Sequence, residues 1–137
     1  MTLMAEKRIV EKELSYVLTG LMFRVHKELG RYARERQYGD ALEREFRTAK
    51  MNYEREKAIE VAERKSNLID FVIEERVAIE LKAKPFITKE DYYQIQRYLQ
   101  SANLELGMLV NFSQEYLKPK RVLNANLYSG NSDEFVD

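Results

Sequence analysis

Three residues of this 137-residue chain have types and spacing suited to chemistry on a charged substrate. Asp70 interrupts the apolar run Leu-Ile-Asp-Phe-Val-Ile, and Glu80 and Lys82 interrupt Val-Ala-Ile-Glu-Leu-Lys. Side chains of a β-strand alternate between faces, so Glu80 and Lys82 share one, about 7 Å apart along the strand. If Glu74, Glu75 and Arg76 form a three-residue loop, Asp70 faces Glu80 across a hairpin, with β-carbons roughly 4.5–5.5 Å apart. A two-residue loop would send the carboxylates to opposite faces. Strict alternation also puts Asp70 on the face of Leu68 and Val72. Two carboxylates that close repel, so one takes up a proton or a cation bridges them. A hard divalent cation, Mg²⁺ or Mn²⁺, is the natural bridge for an all-oxygen pocket. With Lys82 beside it to steady the charge of a phosphate, this is the logic of metal-assisted phosphodiester hydrolysis.

Other residues extend the set. Glu35 lies in line with the apolar stripe Tyr38, Leu42, Phe46 and Ala49, an unusual place for an acid, and would supply a further ligand if it points at the sheet. Gln94 and Tyr98 stand one helical turn apart and would bind a phosphate or hold the lysine. Plainer readings stay open: two solvated carboxylates on a charged hairpin, a first-turn helix acid favoured by the helix dipole, and surface or packing roles for Gln94 and Tyr98. His26 stands alone and reads as structural. Arg31, Arg34 and Arg36 beside Glu35, and Lys118-Pro-Lys-Arg121, read either as solvated charge or as the edge of a phosphate-binding groove.

The elements that must position these residues follow from periodicity. Leu14, Val17, Leu18, Leu21, Val25 and Leu29 predict a first helix ending at Gly30, and a second is expected from about Ala33 to Lys50. Tyr53–Val61 reads as a charged edge strand, followed by the hairpin Leu68–Ile73 and Val77–Leu81. Pro85 ends that strand, Thr88 caps a helix from about Lys89 to Ala102, and strands follow at Leu106–Phe112 and Arg121–Leu127. The order α-α-β-β-β-α-β-β predicts an α/β (α+β) domain, a mixed sheet with helices packed on it. The length fits one domain, 1–128, with a polar acidic tail at 129–137.

Composition narrows the chemistry. There are no cysteines and one histidine, which excludes a thiolate or multi-histidine zinc site and a cysteine nucleophile. Basic and acidic residues balance, 23 against 23, so the overall charge gives no support to nucleic-acid binding, though a local basic groove is compatible with it. The first residues are crowded with charge and Leu14–Phe23 is too short to cross a bilayer, so a cytoplasmic protein without a membrane segment is expected.

Taken together, Asp70 and Glu80-Leu-Lys82 after a nine-residue gap resemble the PD-(D/E)XK nuclease motif. His26-Lys-Glu-Leu-Gly30, Glu35-Arg-Gln-Tyr38, Asn111-Phe112 and Lys118-Pro-Lys-Arg121 resemble the GxxExxY proteins, a small branch of that superfamily, so the similarity runs from about Leu14 to about Val122. One departure is that Tyr32 stands where the family name implies glycine, the glycine being two residues earlier at Gly30. The resemblance implies a restriction-endonuclease-like fold and the site of an Mg²⁺- or Mn²⁺-dependent nuclease, with DNA the expected substrate and endo- versus exonuclease action left open. By matching position it implies Asp70, Glu80 and the Leu81 carbonyl as metal ligands, Lys82 as the catalytic lysine, Glu35 as an auxiliary acid and ligand, and Gln94 and Tyr98 as a Gln-x-x-x-Tyr element. The competing readings are a non-catalytic nucleic-acid- or protein-binding subunit that keeps the fold, and a dimerising protein whose first helix offers a sticky face. A homodimer suits an enzyme that cuts two strands, and a short chain of zero net charge suits a larger protein partner.

Overall fold

The computed structural model describes residues 9–61 and 64–128, with the side chains of 58–67 outside that description. The expected tail, 129–137, falls outside it too. Eight elements follow in the expected order: α1 (Lys12–Leu29), α2 (Glu35–Thr48), β1 (Tyr53–Val61), β2 (Arg64–Ile73), β3 (Val77–Lys82), α3 (Lys89–Ala102), β4 (Leu106–Asn111) and β5 (Lys120–Leu123). The five strands form one mixed sheet in sequence order. β3 pairs antiparallel with β2 and parallel with β4, and α3 makes the crossover that a parallel pair requires. The architecture is the expected α+β.

Apolar side chains cover both faces of the sheet. On one, Leu18, Met22 and Val25 of α1 and Leu42 and Phe46 of α2 pack against Phe71, Ile73, Ile79, Leu81 and Met108. On the other, Ile95, Tyr98 and Leu99 of α3 pack against Ile69, Val72, Ala78, Leu109 and Val122. A fully buried strand reads as a continuous apolar run, and β4 is buried along its whole length. Gly107 lets α3 come close to it: a Cβ there would lie 2.6 Å from Ile95 Cδ1.

Several boundaries differ from expectation, three of them for reasons visible in the backbone and its contacts. α2 starts at Glu35, not Ala33, because Arg34 is extended (φ −91°, ψ 156°) and acts as the N-cap. β2 begins earlier, at Arg64, because β1 continues to pair with it out to Val61. β5 stops at Leu123, not Leu127. The Asn124 side chain donates to the Leu99 and Leu104 carbonyls, and the Asn124 backbone carbonyl accepts from Leu127 and Tyr128 N–H, which turns the chain.

The β2–β3 loop is the three residues Glu74–Arg76 that the carboxylate pairing needs. Ile73 lies opposite Val77 and Phe71 opposite Ile79, so the next pair outward is Asp70 and Glu80. Glu74 and Glu75 both have positive φ (54° and 57°), the backbone of a tight hairpin turn. Glu74 is held there by a two-way link to Asn52: its N–H donates to the Asn52 carbonyl and its carboxylate accepts the Asn52 N–H.

Candidate active site

Main-chain pairing of β2 with β3 reaches outward only to Phe71 and Ile79. Beyond that point the two carboxylates take over. Asp70 N–H donates to Glu80 Oε1 at 3.2 Å, and Leu81 N–H donates to Asp70 Oδ2 at 2.8 Å. The same place disturbs the neighbouring ladder, since the β1–β2 register skips the Glu56–Asp70 step and Glu56 has φ 56°. An irregularity of this kind re-aims a side chain. It also corrects the expected alternation. Ile69 and Val72, three residues apart, pack on the α3 side, while Phe71 and Ile73 face α1 and α2. Asp70 therefore does not simply share a face with Val72. It lines a cleft of about 270 Å³ together with Glu35, Arg36, Glu56, Phe71 and Leu81.

Glu80 is buried at 4% exposure, and its Oε2 lies 3.2 Å from Lys82 Nζ. Burial and the Asp70 charge push Glu80 up to about 8. Burial raises Asp70 as well, against the Leu81 N–H that favours its charged form. One proton or one cation is what such a pair lacks. Burial alone would lower Lys82, but Glu80 and then Asp91 raise it, so the ammonium stays charged.

Glu35 reaches the site from the first turn of α2. Partial burial and then Asp70 raise it, while Lys82 and Lys84 pull the other way, so it lies within the field of the same cluster although its side chain is exposed. The turn that delivers it is fixed by Tyr38. The phenol donates to the Gly30 carbonyl and accepts the Ala33 N–H, and its ring stacks on Phe112 with centroids 4.4 Å apart. Gly30 has φ 77°, so it supplies the left-handed step, and Tyr32 in the glycine position of the expected signature is simply exposed. His26, as expected, is structural: its Nε2 pairs with the Gln114 carbonyl at 2.8 Å. Arg55 clamps α2 from β1 through Asp40 and Glu43, lying where a Cβ on Gly39 would stand.

Of the α3 pair, Gln94 holds the lysine, with Oε1 3.3 Å from Lys82 Nζ. Tyr98 instead packs in the α3-side core. Sequence reasoning missed a second layer around Lys82. Asp91 lies 3.7 Å from Lys82 Nζ and 2.7 Å from Lys84 Nζ, and also closes the α3 capping box with Thr88. Burial alone would raise Asp91, yet Lys84 and Thr88 hold it below its ordinary range. Asn111, paired with Lys82 across the parallel ladder, fixes the following turn by donating to the Lys84 carbonyl and accepting its N–H. The signal for Asp91 was Thr88-x-x-Asp91, which reads as a helix cap alone.

The oxygen donors Asp70, Glu80 and Glu35 fit a hard divalent cation by chemistry, and a cation between Asp70 and Glu80 would relieve the repulsion that helps raise Glu80. Among the described residues, no three Asp, Glu or His side chains close into a ready metal cage. A recess of about 200 Å³ reaches Asn111, the ladder partner of Lys82, and is lined further by Phe86, Tyr92, Lys118 and Lys120. No helix of the described residues is long and apolar enough to cross a membrane.

A family profile described as the PD-(D/E)XK nuclease superfamily matches residues 12–122. No curated protein and no solved structure matches.

Proposed function

The chain belongs to the PD-(D/E)XK nuclease superfamily and has a restriction-endonuclease-like fold, and from that premise we propose that it is a divalent-metal-dependent nuclease that hydrolyses phosphodiester bonds in DNA. The carrying observation is the Glu80–Lys82 ion pair at 3.2 Å, next to the carboxylate–backbone exchange that ties Asp70 to β3. Asp70, Glu80 and the Leu81 carbonyl, with Glu35 as the auxiliary acid, are the groups that would hold Mg²⁺ or Mn²⁺. When bound, such an ion polarises the phosphate and lowers the pKa of its water. Lys82 keeps its ammonium and acts as a fixed cation for the charge that develops on phosphate, not as a base. Gln94 and Asp91 hold it in place. The recess with Phe86 and two lysines supports a nucleic-acid strand beside the centre: lysines meet phosphates and an exposed ring offers a stacking face. Gly30 with Glu35-Arg-Gln-Tyr38 supports the finer assignment to the GxxExxY branch.

The second reading is a subunit that keeps the fold and binds nucleic acid or protein without turnover. It is favoured by the absence of a closed three-acid cage among the described residues. One experiment separates the two. Plasmid and single-stranded DNA are incubated with Mg²⁺ or Mn²⁺ and the wild type, Glu80→Gln or Lys82→Ala. Cleavage by the wild type alone supports the nuclease. Equal cleavage by all three is contamination, and salt-sensitive binding without cleavage supports the subunit.

A further inference from the structure

The core face of α1 is buried through Leu14, Leu18, Leu21, Met22 and Val25. Its outer face carries large apolar side chains among the charged ones that an outer helix normally presents to water. Tyr16 is 80% exposed, Val17 46% and Phe23 47%. Gly20 lies among them, with nothing within 4 Å of where its Cβ would stand. Independently of the hydrolytic reading, we propose that this face pairs with α1 of a second copy of the chain, antiparallel, about a two-fold axis through Gly20.

The sequence is self-complementary in that register. Lys12 meets Glu28 of the second copy, Glu13 meets Lys27, Tyr16 meets Arg24 and Val17 meets Phe23. Both charged oppositions are of opposite sign, and the two-fold axis repeats each of them. Arg24 is 69% exposed beside a 3.6 Å ion pair with Glu45, so its guanidinium is available to lie over the Tyr16 ring. Gly20 meets Gly20 at the crossing, where the absence of side chains lets two backbones approach. Other arrangements lose these matches. A parallel pair sets Glu13 against Glu13 and Lys27 against Lys27. An antiparallel pair centred one turn earlier, on Tyr16, puts Lys12 on Gly20 and Glu13 on Thr19. A groove of about 630 Å³ beside the helix, lined by Ile9, Tyr16, Val17 and Arg121, gives Phe23 of the second copy an apolar seat at its edge. A single helix pair falls short of the roughly 1,200–2,000 Å² of stable complexes, so the association is weak, with a dissociation constant on the order of micromolar or above.

Sedimentation velocity of the full chain, from micromolar to millimolar concentration, tests the proposal. The expected result is a monomer–dimer equilibrium that Glu13→Lys and Lys27→Glu each weaken about tenfold, by setting like charges together twice. An equimolar mixture of the two variants recovers wild-type association, because each reversed residue then meets its opposite. That arm separates the interface from folding, since mixing repairs no folding defect. A wild type that stays monomeric throughout, an association unchanged by either reversal, or a mixture no tighter than its components would overturn the proposal.

Discussion

Glu80 Oε1 accepts the Asp70 backbone N–H at 3.2 Å, at the place where an unbroken ladder would use main-chain groups. Asp70 returns the link by accepting Leu81 N–H at 2.8 Å. The two acids proposed to bind metal are therefore also the stitches that hold β2 to β3 past Phe71. Removing either one affects the fold as well as the chemistry, so Glu80→Gln is a better probe than Glu80→Ala.

Glu80 is pushed up to about 8 from an ordinary value of 4.5 by burial and by Asp70. Between those values the folded protein holds a proton that the unfolded chain has released. The metal-free protein therefore loses stability as pH rises through this window and levels off above it. Glu80→Gln carries no titrating proton and flattens the slope. Urea unfolding of both proteins between about pH 5 and about pH 9 measures the difference. A wild-type advantage over the variant that grows with pH would refute the assignment. Mn²⁺ affinity should climb over the same range, because the ion displaces the proton.

Lys82→Met removes the ammonium lying 3.2 Å from Glu80 and 3.3 Å from Gln94. DNA cleavage should fall about 100- to 1,000-fold, the usual scale for losing one preorganised charge at a transition state. Mn²⁺ binding, followed by calorimetry, should not weaken, because the lysine competes with a cation for Glu80. Weaker binding in this variant would mean that the lysine organises the metal site and does not act on phosphate. Lys82→Arg should not rescue turnover, since a planar fork does not replace a compact point charge.

Tyr38→Phe keeps the stack on Phe112 and loses both hydrogen bonds of the phenol. The expected cost is about 1–2 kcal/mol in chemical denaturation. The turn from Gly30 to Arg34 loosens with it, so Glu35 is held less firmly, and Mn²⁺ affinity should drop more than in a surface control such as Tyr32→Phe. Equal affinities would detach Glu35 from the metal.

Gly107→Ala sets a methyl carbon 2.6 Å from Ile95 Cδ1 and 2.9 Å from Ile95 Cγ1. Overpacking of this kind costs about 1–3 kcal/mol. Pairing the change with Ile95→Val, which trims the opposing side chain, should recover part of the loss. A double variant no more stable than the single would show that the strain lies elsewhere.

Much of this was legible in the sequence because it is local. Periodicity gave all eight elements in order, and the three charged residues between two apolar runs marked the loop, whose length the structure decides in favour of the register that sets Asp70 against Glu80. Glu35 stood out as an acid in line with a buried stripe. What stayed hidden depends on contacts between distant segments. Where β2 leaves β3 decides the slip at Asp70, and strict alternation cannot see it. The layer of Asp91, Lys84 and Asn111 exists only because the α3 crossover brings residue 91 back over the end of β3 and β4 lies parallel beside it. Tyr98 shares a helix face with Gln94, yet its ring is taken by the core, which spacing alone does not distinguish.

Asp91 belongs to two structures at once: it caps the start of α3 through Thr88, and it neutralises Lys82 and Lys84. Fraying of that opening turn and release of the lysine are consequently a single event. On warming, the centre would be dismantled by this short segment while the sheet beneath it was still intact, so thermal inactivation would run ahead of melting.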